Sequence, residues 1–245
     1  MKAMILAAGI GSRLRPLTDT VPKALVEVGG VPMIARVIRR LASAGVTEIV
    51  VNLFHLPDGI VNFLASKNHF GLRVQFAREA ELLDTGGGLK NAAWFFDDGR
   101  PFFVHNVDVL SDIDLPAMFR FHTETQALAT LAVQPRPSSR QLLFDASGQL
   151  VGRETTQGAE WSRGPVASVE RLGFTGIHVL DPVIFSKMSE SGAFPITRAY
   201  LRLAGEGERI LAFRADGQYW QDIGSAEKLE RARAFLSKDR PHTDG

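Results

Sequence analysis

Residues 1–23 read MKAMILAAGIGSRLRPLTDTVPK. Met4 to Ala8 is an apolar run of strand length, and Gly9 and Gly11 follow at once, the punctuation of a buried strand that leaves a sheet and turns. Small residues at such a turn let backbone N–H groups face an anion. Arg13, Arg15 and Lys23 add three cations within reach of the same loop, which suits a polyphosphate and not a hydrophobic core. For Arg15 a surface position is an equally good reading.

Beyond that loop, Val31 to Ala44 carries apolar residues at Met33, Ile34, Val37, Ile38 and Leu41 with arginines between them, the spacing of an amphipathic helix. Pro32 suits its first turn and Gly45 its end. Glu48 to Asn52 reads as a second buried strand, residues 57–67 as a helix, and Leu72 to Ala77 as a third strand. Strand and helix alternating in this way predict a doubly wound, mostly parallel sheet. In Leu82 to Phe96, LLDTGGGLKNAAWFF, three glycines precede a predicted helix, with Thr85 available as its cap. Pro101 to Asn106 is a fourth strand that delivers Asp108 to its C-terminal end, the edge where open α/β sheets bind ligands. A helix over Leu115 to His122 and a strand over Ala127 to Val133 complete a first half, residues 1–134.

In the second half, residues 135–236, LLFDASGQLVGRE (142–154) has two short apolar runs around Ala146-Ser147-Gly148, a β-hairpin signature. Residues 155–165 are polar and turn-rich and read as a surface loop, with a flap over a site as the alternative. Leu172 to Leu180 is a strand. A short helix from Pro182, a helix from Pro195 to Leu203, a strand over Arg209 to Phe213 and a final helix ending near Leu236 follow. One domain over 1–236 is expected, with 237–245 a frayed tail.

Composition excludes several classes. With 45% hydrophobic and 22% charged residues the chain is an ordinary globular protein rather than a disordered one. A net charge of +1 leaves no basic field for nucleic acid, so the cations that matter act locally. Cysteine is absent, so a catalytic metal would have to be held by oxygen or imidazole. No run approaches the ~18 apolar residues of a membrane span, and the opening run is too short for a signal peptide, which makes the cytoplasm the expected location.

The opening loop alone is weaker than a dinucleotide fingerprint, because the acidic residue expected ~20 positions on is missing. The longer string Leu6-Ala-Ala-Gly-x-Gly-Ser-Arg-Leu-x-Pro-Leu-Thr, followed by Pro22-Lys23, resembles the signature of the sugar-1-phosphate nucleotidyltransferases. The resemblance extends to about Leu236 and implies a Rossmann-like doubly wound, mostly parallel sheet of the nucleotidyltransferase type with a small β-hairpin or flap region. It implies that Leu6, Ala7, Ala8, Gly9, Gly11, Ser12 and Arg13 bind the nucleotide, and that Lys23 and Arg13 act on the reacting phosphates.

The family also carries an aspartate after the fourth strand and another in a Trp-x-Asp-x-Gly segment. Asp108 and Trp220-Gln-Asp222-Ile-Gly224 match these and are thereby assigned to Mg²⁺; on their own, such aspartates read as caps or turn residues. Val107 stands where the family usually has glycine, and Asp112 is a spare oxygen ligand. The triple glycine resembles the segment that lies against the nucleobase, which implies contacts from Gly86 and Gly87; helix capping explains one glycine of the three. Two branches, the N-acetylmuramate 1-phosphate uridylyltransferases and compact mannose-1-phosphate guanylyltransferase-like proteins, have similar glycines there. Glu170 and Gly176 correspond to sugar contacts, although the usual Glu-Lys-Pro string is absent. His105 is expected in the core rather than on a metal.

The implied reaction is attack by a sugar 1-phosphate oxygen on the α-phosphorus of a nucleoside triphosphate, releasing pyrophosphate, with no covalent enzyme intermediate. The alternatives are nucleotidyl transfer to phosphocholine or another alcohol phosphate, and a non-catalytic nucleotide-sugar-binding regulatory protein. Nucleobase, sugar and oligomeric state are not legible in the sequence.

Overall fold

The computed structural model describes residues 1–138 and 141–238. The greater part of the expected tail, 239–245, lies outside the described residues. The first half runs β1 (Lys2–Leu6), β2 (Glu27–Val28), β3 (Val31–Pro32), α1 (Met33–Ser43), β4 (Glu48–Leu53), α2 (Pro57–Ser66), β5 (Arg73–Arg78), α3 (Asp84–Asn91), β6 (Phe102–Asn106), β7 (Val109–Ser111), α4 (Leu115–Thr125) and β8 (Ala129–Gln134). The second runs β9 (Gln141–Phe144), β10 (Leu150–Thr155), β11 (Gly158–Trp161), β12 (Glu170–Leu180), α5 (Ile184–Lys187), α6 (Ile196–Gly205), β13 (Ile210–Arg214), β14 (Trp220–Asp222) and α7 (Ala226–Lys238).

Strands β5, β4, β1 and β6 lie side by side and parallel, as the alternation of strand and helix predicts. The long strand β12 then joins the halves. Its C-terminal part pairs antiparallel with β6, its N-terminal part with β9, and its other edge with β8. Parallel β13 completes that edge, and β9, β10 and β11 extend the opposite end as an antiparallel meander. The sheet is therefore mixed, with a parallel heart.

Alternate side chains of β1 feed two cores, because successive strand residues face opposite sides. Met4 and Leu6 pack with Leu89 of α3 and Tyr200 and Leu203 of α6. Ala3 and Ile5 pack with Ile34, Val37, Ile38 and Leu41 of α1 and Met118 of α4. A third cluster (Leu14, Val28, Met33, Leu110, Ile223 and Leu229) ties the end of the opening loop to β7, β14 and α7. This small cluster places α7 beside the glycine-rich loop.

Three features depart from the sequence reading. Residues 155–165 are not simply a loop: β10 continues to Thr155 and turns into β11, with Gly152 opposite Trp161 and Thr155 opposite Gly158. A strand whose residues are nearly all exposed has no apolar alternation to reveal it. The ribbon β7–β14 joins segments about a hundred residues apart, Asp222 facing Val109, and no local pattern announces such a pairing. Thr85 does not cap α3, which begins at Asp84; its hydroxyl accepts the Ile196 N–H at 2.9 Å.

Candidate active site

The C-terminal ends of β1, β4 and β6, with the middle of antiparallel β12 (Phe174 to His178), open onto two adjoining cavities of about 540 and 780 Å³. Asp84, Thr85, Asn106 and Asp108 line both, so the two are chambers of one cleft.

The smaller chamber is built by the opening loop. Leu6, Ala8, Gly9 and Lys23 line it, together with Asn52, Leu82 and Ala193. Gly11 is required by shape: its φ is +70° and a Cβ there would meet the Thr18 methyl at 2.9 Å, while the Thr18 hydroxyl donates to the Gly11 carbonyl at 2.8 Å. Ser12 is exposed and lies outside the lining, and Arg15 pairs with Asp19 on the surface at 3.2 Å. Ala7 is held from behind by a polar chain the sequence reading did not single out. Its N–H donates to Asn52 Oδ1 at 2.6 Å, Asn52 Nδ2 donates to Glu79 Oε1 at 2.7 Å, and Leu83 N–H donates to Glu79 Oε2 at 3.0 Å. Asn52 is 2% exposed, so this chain satisfies buried groups that water cannot reach. The only available signal was a polar residue inside the apolar run of β4.

The triple glycine lies behind this chain. Gly86 and Gly87 fall outside the lining of both chambers, and their N–H groups donate to the Phe194 carbonyl at 2.9 and 3.3 Å. A Cβ on Gly86 would sit 2.3 Å from the Phe194 ring, one on Gly87 2.4 Å from the Gly192 carbonyl, and one on Gly88 2.7 Å from Glu79 Oε1. Close packing of α3 onto residues 192–194 and onto the Asn52–Glu79 pair therefore accounts for all three glycines.

The larger chamber belongs mainly to the second half. Gly176, at φ +80° where β12 is bulged opposite β8, lies against Asn106, whose amide nitrogen would be 2.5 Å from a Cβ. Arg136 spans the chamber wall: its guanidinium stacks on Trp220 at 3.8 Å and donates to the Phe174 carbonyl at 2.7 Å. Burial lowers the Arg136 pKa against the opposing pull of Asp222. Glu170 is elsewhere, outside both linings, in an exposed ion pair with Arg214. The glutamate on the chamber wall is Glu154, itself paired with Arg171 at 2.9 Å.

Asp108 and Asp222 come together through the β7–β14 ribbon, where Ile223 N–H donates to the Asp108 carbonyl at 2.9 Å. Each carboxylate meets a lysine. Lys23 pairs with Asp108, and Lys228 of α7, which has no motif around it in the sequence, pairs with Asp222 at 2.6 Å. The second oxygen of Asp222 accepts the Gly224 N–H at 2.9 Å. Arg13 packs against Gly224 and lines the larger chamber, with no hydrogen-bond or ion-pair partner among the described residues. Val107 is 3% exposed, donates its N–H to the Leu6 carbonyl at 3.1 Å, and lines the smaller chamber beside Asp108. Asp112 accepts the Tyr219 N–H at 2.7 Å and lines neither chamber.

Two histidines flank the strands beneath the cleft. Burial pushes the pKa of His105 down to about 4, and its Nδ1 lies 2.8 Å from the Asn106 carbonyl. Burial likewise pushes His178 down to about 3, with His105 adding to the shift, and its Nδ1 pairs with the Tyr200 hydroxyl. Both rings are neutral at pH 7. Among the described residues no group of three or more His, Cys, Asp or Glu gathers around a metal position. The donor set at the junction is two carboxylates and no imidazole. That fits a hard cation such as Mg²⁺, which is commonly held by one or two carboxylates plus substrate phosphates.

The sequence profile of the family described as Nucleotidyl transferase matches residues 2–239. A mannose-1-phosphate guanyltransferase of Yarrowia lipolytica is 33% identical over 98% of this chain, and the chain spans 66% of that relative's length, and 61% of a Kluyveromyces lactis protein of the same name. An N-acetylmuramate alpha-1-phosphate uridylyltransferase of Neisseria meningitidis is 34% identical over 96% of this chain and 98% of its own. Among solved structures, a putative glucose-1-phosphate thymidylyltransferase from Bacillus anthracis superposes with a TM-score of 0.79 at 24% identity, covering 98% of this chain and 96% of that one, a likeness of fold. No helix among the described residues is long and apolar enough to cross a membrane. The chain belongs to the nucleotidyl transferase family, among the sugar-1-phosphate nucleotidyltransferases.

Proposed function

We propose that the protein transfers a nucleoside monophosphate from a nucleoside triphosphate to a sugar 1-phosphate. The observation that carries this reading is the two-chambered cleft, with Asp108 shared by the chambers and paired with Lys23 of the smaller, and with Lys228–Asp222 and Arg13, which has no partner among the described residues, on the wall of the larger. The smaller chamber takes the nucleotide. Ala8 and Gly9 bring backbone close to it without bulky side chains while the Leu6 side chain packs into the core, Lys23 faces the triphosphate from this chamber, and Arg13 reaches it from the wall of the larger one. The larger chamber takes the sugar 1-phosphate against Gly176, Arg136 and Trp220.

An oxygen of the sugar phosphate forms a bond to the α-phosphorus as the bond to the pyrophosphate oxygen breaks. The attacking phosphate is already largely dianionic at pH 7, its second pKa being ~6, so no strong general base is required. What the protein supplies is alignment of two polyanions and neutralisation of their charge. Lys23 and Arg13 stabilise negative charge as it moves toward pyrophosphate, and the Asn52–Glu79 chain keeps the Ala7 backbone fixed while this happens. Asp108 and Asp222 would hold Mg²⁺, which supplies electrostatic stabilisation of the phosphate oxygens when bound.

The near end-to-end match to the uridylyltransferase makes UTP with an N-acetylmuramate-type sugar 1-phosphate the first pair to test. Pyrophosphate release, measured for each nucleoside triphosphate against a panel of sugar 1-phosphates with Mg²⁺, and against phosphocholine as a different acceptor, is the deciding experiment. Release with one sugar phosphate supports the reading; release only with phosphocholine, or with no acceptor, overturns it.

A further inference from the structure

The two lysine–aspartate pairs are not equivalent. The Lys23 and Asp108 side chains are 14% and 21% exposed, an enclosed pair, whereas Lys228 is 38% exposed against 17% for Asp222. Asp222 has both oxygens engaged, one by the Gly224 N–H at 2.9 Å and the other by Lys228 at 2.6 Å. A divalent cation bound to that second oxygen at ~2.1 Å would stand close to the ammonium, and two positive centres that near repel. One of them has to leave. Lys228 sits in the first turn of α7 on a flexible four-carbon stem and already lines the larger chamber, so its head can re-aim into that chamber with the helix in place.

We propose that Lys228 is an exchangeable counter-ion: it neutralises Asp222 in the metal-free protein, gives way to the divalent cation, and then binds the phosphate of the sugar 1-phosphate. The inference deepens the proposed two-substrate reading and rests on it. Of the other cations that line the larger chamber, Arg13 is assigned above to the triphosphate, and Arg136 and Arg153 are committed elsewhere. Arg136 is stacked on Trp220 and bonded to the Phe174 carbonyl, and Arg153 is paired with Glu160 at 2.6 Å. Among the described residues the Lys228 ammonium pairs with Asp222, a partner that the metal removes, and its backbone N–H donates to the Ser225 hydroxyl.

One substitution then has two effects of opposite sign. In Lys228→Met the free protein binds Mn²⁺, a hard divalent probe counted by its EPR signal, roughly fivefold more tightly, the factor expected when a competing, partly exposed ion pair is removed. The same variant binds inorganic phosphate, and sugar 1-phosphate in the presence of Mg²⁺, about tenfold or more weakly by calorimetry, with the KM for the nucleoside triphosphate unchanged. Lys228→Arg restores phosphate binding. A lysine that merely braces α7 would change neither ligand in this pattern, so a folded Lys228→Met protein with unaltered Mn²⁺ and phosphate affinity overturns the proposal, as does a rise confined to the triphosphate KM. The Mn²⁺ and phosphate measurements need no turnover, so they decide the role of Lys228 even if no nucleotide and sugar phosphate pair reacts.

Discussion

The two chambers of the cleft are built in different ways. The smaller is lined largely by residues at the ends of neighbouring parallel strands, and the 23-residue opening stretch supplies four of them: Leu6, Ala8, Gly9 and Lys23. The larger draws on β9, β10, β12, α6, β14 and α7, each contributing one or a few side chains. A phosphate grip can be local because backbone N–H groups and a turn are local objects. A chamber walled by side chains from those six elements has to be assembled from distant segments.

The seam between these regions is where β6 meets β12, with His105 on one strand and His178 on the other. Both have pKa values held below the free value of 6.5 by burial. The unfolded chain therefore takes up protons first as pH falls. Stability from each is fully present above pH ~6.5 and declines by about 1.4 kcal/mol per pH unit as pH drops toward the folded pKa. These two should contribute a loss on the order of 5 kcal/mol to urea unfolding between pH 6.5 and 4.5, with His122, which burial pushes down to about 4, adding to it, in a single transition. Two separate transitions would mean that the regions fold independently and would break the picture of one sheet through both.

The next largest effect is expected at the junction. Lys23→Ala should lower kcat/KM by ~10² or more, the scale of losing one electrostatic stabiliser, with thermal unfolding little changed. A folded, fully active Lys23→Ala protein would remove the smaller chamber's claim to the triphosphate. Behind that chamber, Gly87→Ala gains helix propensity of ~1 kcal/mol but places a methyl 2.4 Å from the Gly192 backbone carbonyl, which cannot rotate away. A net destabilisation of ~1–3 kcal/mol in urea is expected. An unchanged midpoint would reopen a ligand-facing role for the glycines. The smallest effect separates the two glutamates of the second half. Glu170→Ala removes only an exposed pair with Arg214 and should shift stability by less than ~0.5 kcal/mol and leave sugar-phosphate KM unaltered, whereas a clear KM rise would return Glu170 to the site.

The strands, helices and glycine-rich turn of the first half were readable because each is signalled within a few residues, by apolar period and by glycine and proline punctuation. The sequence was less informative where partners are far apart. Nothing around Lys228 distinguishes it from the solvent face of a helix, and nothing around Arg136 indicates that it will stack on a tryptophan 84 positions on. Glu170 and Glu154 look alike as residues flanking strands, and only their placement on the meander puts one on the chamber wall. The three glycines of α3 announced a close approach correctly, but what approaches is the protein's own Phe194 and Gly192 carbonyl groups and the Asn52–Glu79 pair.

The amino-acid order alone was enough for a doubly wound α/β core and a glycine-rich turn at one edge, since hydrophobic period and turn chemistry act over short distances. Long-range packing put Asp108 and Asp222 on one ribbon, set a lysine against each of them, and chose the side chains that wall the larger chamber. Those outcomes depend on strand pairing and helix docking between segments dozens to more than a hundred residues apart, and pairing of that kind is settled by the packing of the whole sheet.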